Sequence, residues 1–434
     1  MTGRELLDRI NTPKAAELFS SLYGAEGVDA ARLRYGNLIE GLIHGFSGGE
    51  FPETAGDLRV FSVPGRTELG GNHTDHNRGK VLAASIQLDA VAVTAPRPDM
   101  QVFFRSKGHP DVKVDISDLS VRQEEKGTTE ALVRGIAAEL AARKLPLRGF
   151  TVNAENMVLC GSGLSSSAVV EILIAKIFDS LYGDGKTSAL ELAKIGQKAE
   201  NVYFGKPCGL MDQTACATGG AVAIDFEDPD NPKVKEIGFD PASAGLALCI
   251  VDTKGSHADL TADYAAIPTE MKAAASFFGK HVLRELDERT FLSRLPELRS
   301  AVGDRAVLRA MHFFGENRRV DAMLTALEEK AIDTFLALVR ESGDSSWELL
   351  QNIYSHKKLI EQGVSLALAL TKNFLAVGEG ACRVHGGGFA GTIQAYIPME
   401  RLIDYRNVME GVFGIGALTV LRIRPLGAIE LDFK

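Results

Sequence analysis

Apolar residues along this chain repeat with two different periods. Over residues 4–45 they recur at helical spacings (Leu6, Leu7, Ile10, Leu18, Leu22), which predicts a helix-rich cover packed on the first domain. From residue 58 to 119 the period shortens to two. The alternation of Leu58, Val60 and Ser62 leads into a polar loop, and the apolar residues Val81, Leu82, Ala83 and Ala84 follow it, which reads as strand, loop, strand. Further strands are expected at 90–95, 102–105 and 112–116. Thr128 or Thr129 is placed to cap a helix reaching about residue 144, ahead of Pro146. Phe150, Val152 and Ala154 then alternate as a strand. The run from Val169 to Ile177 is apolar on almost every side, so its helix should be buried. Ser188 and Glu191 are spaced as a capping box for a helix ending near residue 201. Strands are expected at 221–226 and 245–252, and helices from 258 to about 375. A strand at 392–397, a helix at 399–412 and a strand at 418–423 close the chain.

At 434 residues the chain exceeds one ordinary core, and two or three domains are expected. The cluster DFEDPDNP suggests a change of domain near residues 226–245, giving domains 1–235 and 236–434. Hydrophobic residues at 45% and charged residues at 24% are ordinary for a globular protein. A net charge of −9 argues against a nucleic-acid surface. No apolar run approaches the roughly 18 residues that span a membrane, and the N-terminal stretch lacks a signal core. Five scattered cysteines without CxxC spacing indicate neither a disulfide framework nor a zinc site, so a reduced, cytoplasmic protein is expected.

Three stretches concentrate the candidate chemistry. Residues 63–86, VPGRTELGGNHTDHNRGKVLAASI, crowd Arg66, Glu68, Asn72, His73, Thr74, Asp75, His76 and Asn77 among glycines that let the backbone turn or approach a ligand. Alone, this reads first as a charged surface loop. Residues 159–168, LCGSGLSSSA, place small residues where a strand meets a helix, so that N–H groups and the helix dipole could wrap phosphates. No GK[ST] follows, so this is not a Walker loop, and a Gly/Ser turn with a serine cap is the alternative. In FGKPCGLMDQTACATGG, residues 204–220, Asp212 stands in a nearly uncharged segment. Such a carboxylate is paired, functional or a helix cap. The third stretch, GACRVHGGGFAG at 380–391, has three consecutive glycines that suggest backbone pressed against a ligand or another loop, or else a mobile turn.

Together and in this order the stretches resemble the three motifs of the GHMP small-molecule kinases. GRTELGGNHTDHNRGKVL is similar to the galactokinase signature GR-x-N-L-I-G-E-H-T-D-Y-N-x-G-x-V-L, QKAENVYFGKPCGLMDQ to the segment ending CGIMDQ, and GGGFAG to GGGFGG. The resemblance implies an α+β, two-domain GHMP kinase fold with the active site in the cleft between the domains. It also implies transfer of the ATP γ-phosphoryl group to the anomeric hydroxyl of a hexose. By position, Asp212 would accept the proton of the attacking hydroxyl and Arg66 would offset phosphoryl charge. The backbone of Gly161, Ser162, Gly163, Leu164, Ser165 and Ser166, with Ser167, would bind ATP, while Ser167 and Glu200 would hold Mg²⁺. Asn72, His73, Asp75, Gly209 and Tyr264 would contact the sugar. The implied partners are sugar and ATP, with no nucleic acid or membrane, in a monomer or weak dimer.

The departures from the pattern are specific. Its Asn is Glu68 here, its Ile is Gly70, its Glu is Asn72 and its Tyr is His76, and the family's CPELD helix has no clear counterpart near residues 345–354. The expected reaction is phosphorylation of galactose. A GHMP kinase for a related sugar (galacturonate, N-acetylgalactosamine, arabinose) and a catalytically silent sugar and ATP sensor are the alternatives. Intact Arg66, Ser167, Glu200 and Asp212 count against the sensor.

Overall fold

The computed structural model describes residues 1–45, 57–158, 163–256 and 259–433. Three helices open the chain: α1 (Gly3–Arg9), α2 (Pro13–Tyr23) and α3 (Val28–Ile43). Thr2 and Glu5 form a capping box on the first, and Thr12 caps the second ahead of Pro13. Strands β1 (Arg59–Gly70), β2 (Lys80–Pro96), β3 (Gln101–Ser106) and β4 (Val112–Asp115) follow. Then come α4 (Thr129–Ala142), β5 (Phe150–Asn156), α5 (Ser166–Tyr182), α6 (Ala189–Lys198) and α7 (Met211–Thr218). Strands β6 (Ala221–Asp225), β7 (Lys233–Ile237) and β8 (Leu246–Asp252) lead to α8 (Thr261–Phe277), α9 (Glu288–Ser293) and α10 (Leu295–Val302). The long α11 (Asp304–Glu328) precedes α12 (Ile332–Ser345) and α13 (Gly363–Phe374). Strands β9 (Ala381–Val384) and β10 (Thr392–Pro398), helix α14 (Leu402–Phe413), and strands β11 (Leu418–Leu421) and β12 (Ile429–Glu430) complete the order.

An eight-stranded sheet runs β12-β1-β2-β5-β3-β4, with β6 and β7 continuing from the first half of β2, and a four-stranded sheet runs β11-β8-β10-β9. All pairings are antiparallel except β3 with β5. The three opening helices bury Leu6, Phe19, Tyr35 and Ile39 against Val60, Val91 and Val93 on one face of the large sheet, joined by Leu431 and Phe433. The other face packs on α4, α5 and α6, and α5 buries residues around nearly its whole circumference, as its apolar run predicts.

Four features differ from the sequence reading. The runs at 81–84 and 90–95 are one strand, because β2 pairs with β6 through its first half and with β5 through its second. Strand β7, which the sequence reading lacks, is an edge strand whose exposed Lys233, Lys235 and Glu236 hide its alternation. The short β12 returns the end of the chain to β1. Thr128 does precede α4, but its hydroxyl donates to the Glu125 carbonyl at 2.6 Å and does not cap.

The two sheets meet through polar side chains. Gln394 of β10 donates to Thr67 Oγ1 (2.7 Å) and to the Glu68 carbonyl (2.9 Å) of β1. Arg383 of β9, fully buried, pairs with Glu68. A pocket opens at this seam.

Candidate active site

The site begins at an irregularity in β1. Its register against β2 shifts between Pro64 and Arg66, a bulge that re-aims the following side chain. A Cβ on Gly65 would lie 2.9 Å from the Leu164 carbonyl oxygen, so only glycine lets the chain entering α5 come this close. Arg66 N donates to that carbonyl at 3.2 Å. The buried Arg66 guanidinium then donates to Asp212 Oδ1 through Nε (2.9 Å) and Nη2 (2.7 Å), and through Nη1 to the Gly163 carbonyl. One arginine thus joins the loop before α5 to the start of α7.

Asp212 is the second residue of α7, where the helix dipole favours a carboxylate. Its Oδ2 accepts from Ser165 Oγ at 2.6 Å. Ser165 sits in the left-handed region (φ 66°) as the residue before α5. Burial pushes the Asp212 carboxyl up, but the Arg66 charge, the Ser165 and Arg66 hydrogen bonds and the Lys206 charge together hold it below the usual carboxylate range. The carboxylate is therefore ionised at neutral pH. Its side chain remains 35% exposed toward the pocket, so a ligand hydroxyl can reach it.

Behind this pair lies a second polar cluster. After α6 the chain forms a π-helical turn, Ala199–Phe204, which carries the buried Glu200. Glu200 Oε1 pairs with Lys206 Nζ at 3.0 Å, and its Oε2 accepts from Gln213 Nε2 at 3.1 Å. The same amide nitrogen donates to Glu171 Oε2 at 2.9 Å. Burial, then the neighbouring Glu200 charge, pushes the Glu171 carboxyl well above its ordinary value. Glu171 Oε1 and Gln213 Oε1 are buried without a hydrogen-bond partner.

The loop between β1 and β2 supplies the opposite wall. α11 holds it: His312 Nε2 donates to the Asn72 carbonyl (2.9 Å), and Glu316 Oε1 accepts from Gly71 N (3.0 Å). His73 takes a left-handed backbone (φ 60°), and its Nε2 donates to the Gly387 carbonyl at 3.0 Å. Burial lowers the His73 imidazole to about 4, so it is neutral. A Cβ on Gly209 would overlap Asp75 Oδ2, so the Asp75 carboxylate lies directly on the Gly209 backbone. Asn72 is 1% exposed. Its Nδ2 donates to Glu68 Oε1 (3.1 Å) and the Gly386 carbonyl (2.8 Å), and its Oδ1 accepts from Asn352 Nδ2 (2.8 Å).

The structure brings Arg66, Asn72, His73, Asp75, Gly209 and Asp212 around one pocket of 260 Å³. Glu68, His76, Lys206, Cys208, Gly386 and Gly387 also border it. Tyr264 lies behind this wall: its hydroxyl donates to the Gly388 carbonyl at 2.9 Å, and its ring would meet a Cβ on Gly387. Leu164 is buried in the core, and Ser166 and Ser167 open α5. Gly161 and Ser162 lie outside the described residues.

Sequence reasoning missed Lys206, Gln213 and Glu171, and also Arg383, the partner of Glu68. Gln213 and Lys206 lay inside a quoted motif, and polar residues in that nearly uncharged segment were the available signal. Arg383 also lay inside a quoted stretch, as its one Arg, but its pairing with Glu68 could not be read, since 315 residues separate the two.

A family model for the N-terminal domain of GHMP kinases matches residues 131–220, and one for the galactokinase galactose-binding signature matches residues 49–96. The chain is 32% identical to the galactokinase of Glaesserella parasuis over 82% of its own length and 89% of the relative's. It is 28% identical to that of Streptomyces coelicolor, over 84% and 91%. Among solved structures, Lactococcus lactis galactokinase complexed with galactose superposes with a TM-score of 0.74 at 23% identity, covering 87% of this chain and 96% of that one. A mevalonate kinase superposes at 0.59 with 14% identity, covering 84% and 98%, so the fold is that of the GHMP kinases. By its 32% identity to a relative of which it covers 89%, this chain belongs to the galactokinase family of the GHMP kinases.

Proposed function

We propose that this enzyme transfers the γ-phosphoryl group of ATP to the anomeric hydroxyl of galactose, giving galactose 1-phosphate and ADP. The observation that carries the reading is the Arg66–Asp212–Ser165 constellation, an ionised carboxylate open to the pocket and tied by arginine to the loop before α5. Phosphoryl transfer through a loose transition state needs little covalent help from protein, so positioning and charge dominate. Asp212 orients the attacking hydroxyl and takes its proton late, when the sugar oxygen has become acidic. Arg66 keeps Asp212 ionised and offsets charge on the group in transit. The backbone from Gly163 to Ser166 faces the phosphates at the start of α5, where the helix dipole favours anions.

Sugar recognition falls to Asp75, which is pinned against Gly209, and to His73, neutral and directed at Gly387. Asn72 shapes the same wall, its amide committed to Glu68, Gly386 and Asn352. Tyr264 supports the glycine turn from behind.

Mg²⁺ suits the donor set at Ser167 and Glu200. Both offer hard oxygens. The buried Glu200 carboxylate is already answered by a cation, the Lys206 ammonium at 3.0 Å, so the position calls for positive charge. Bound there, Mg²⁺ would neutralise phosphate charge.

No described helix is long and apolar enough to cross a membrane, and Cys208, Cys216, Cys249 and Cys382 are all unpaired, which suits a cytoplasmic enzyme. The test is ATP consumption by the purified protein over a panel of free sugars. Galactose should give the highest kcat/KM. A higher value for galacturonate, N-acetylgalactosamine or arabinose, or no turnover at all, would overturn the reading.

A further inference from the structure

Lys206 stands apart from the other cations of the pocket. Arg66 is fixed by Asp212 and Gly163, and Arg383 is buried on Glu68. Lys206 is held by Glu200 alone, at its backbone and at its ammonium. Its backbone N–H and that of Gly205 donate to the Glu200 carbonyl (3.1 and 2.9 Å), which pins the start of the side chain beside Glu200. The side chain itself is 60% exposed, and it reaches a carboxylate that is 2% exposed. It borders the same 260 Å³ pocket as Arg66 and Asp212.

A divalent cation on Glu200 would compete with this arrangement. Glu200 Oε2 accepts from Gln213 and Oε1 holds the ammonium at 3.0 Å, so a cation on this carboxylate competes directly with Lys206 for it. Like charges that close repel strongly in a half-buried site. The pocket's own anions offer little refuge. Glu68 is matched by Arg383, and both oxygens of Asp212 are engaged by Arg66 and Ser165. Asp75, whose Oδ2 lies on the Gly209 backbone, is the pocket's other carboxylate; the larger negative charge that enters the pocket is the one the nucleotide brings. A lysine on a flexible stem, acting as a point charge, can follow that charge across the pocket.

Building on the proposed reaction, we infer that Lys206 is a further catalytic residue, parked on Glu200 until a divalent cation takes that carboxylate and then turned onto the phosphoryl group in transit. In that step the bond from the γ-phosphorus to the β,γ-bridging oxygen breaks, and its electron pair stays on ADP. A bond from the sugar oxygen to phosphorus forms, and the hydroxyl proton passes to Asp212. Lys206 keeps all its protons and answers the charge spread over the equatorial oxygens.

The inference makes a prediction of unusual sign. Lys206 competes with the cation, so removing it should tighten cation binding while slowing the reaction. Binding of Mn²⁺ with a non-hydrolysable ATP analogue is measured by calorimetry for the native protein, Lys206→Met and Lys206→Arg. Lys198→Met removes an equally exposed lysine that pairs with Glu139, and it controls for general loss of positive charge. Lys206→Met should bind Mn²⁺ about three- to tenfold more tightly, with Lys198→Met unchanged, and should lose about ten- to a hundredfold in kcat at saturating cation. The galactose KM should stay within about twofold, and Lys206→Arg should recover part of kcat. Mn²⁺ affinity that is unchanged or weaker in Lys206→Met overturns the inference, as does a kcat within threefold of native. The calorimetry needs no sugar, so it judges the exchange of partners even where the choice of galactose fails.

Discussion

Asp212→Asn isolates the charge of the carboxylate from its shape. The amide is nearly isosteric, and the three contacts at this position can all be kept. Its Oδ1 can still accept from Arg66 Nε and Nη2, now at 2.9 and 2.7 Å, and its Nδ2 can donate to Ser165 Oγ, now at 2.6 Å, since a hydroxyl both gives and takes. The variant therefore keeps its fold, at a cost of about 1–3 kcal/mol for leaving the buried Arg66 without a counter-charge. What it loses is the group that receives the proton. Removal of a general base costs about 10²–10⁴ in kcat, or roughly 3–5.5 kcal/mol of barrier. ADP release, coupled to an indicator reaction at saturating galactose and Mg²⁺, should show that fall, with sugar and nucleotide still binding by calorimetry. The pH profile adds a check. Asp212's carboxyl is held below the usual range, so its ionised form is complete at neutral pH and is lost only as pH falls through that lowered value. The native acid limb should thus lie below the ordinary carboxylate range, and the variant should lack it. A kcat within tenfold of native, with binding intact, would refute the role given to Asp212.

Three further outcomes follow from the same site. Gly70→Ile restores the family residue but sets a Cβ 2.7 Å from Met323 Sδ, so it should destabilise by about 1–3 kcal/mol in urea titration. Adding Met323→Ala should recover at least half, and losses that simply add would show the two residues are not in contact. Gly209→Ala should displace the Asp75 carboxylate and raise the galactose KM about tenfold while the ATP KM holds; an unchanged galactose KM rejects the sugar role of Asp75. Finally, the native His73 ring resists protonation down to about 4, whereas the unfolded chain takes up that proton near 6.5. Stability should therefore fall as pH drops from about 6.5 toward 4, and His73→Gln should flatten that slope; an identical slope in the two proteins excludes the buried neutral ring.

What could be read from the sequence was what one contiguous stretch contains. Gly65, Arg66, His73 and Asp75 lie within eleven residues, and their polarity among glycines announces a site before any fold is known. Ser188 caps α6 by accepting from Glu191 N at 3.2 Å, a contact between residues three apart that spacing alone predicts. What stayed hidden depends on partners brought from far along the chain. Glu68 stands where the pattern has a neutral Asn, yet Arg383 of the other sheet neutralises it and Asn72 donates to it. Gly70 stands where the pattern has Ile, and the Met323 sulfur stands where a side chain would go. In each case the departure from the family pattern is answered by a residue over 240 positions away, packed against it in the fold. A substitution that restores the pattern at one of these positions alone therefore introduces a fault: isoleucine at 70 collides, and asparagine at 68 leaves a buried arginine without its counter-charge. Their effects become interpretable only in pairs, because each local oddity and its remote partner form one unit of packing or charge.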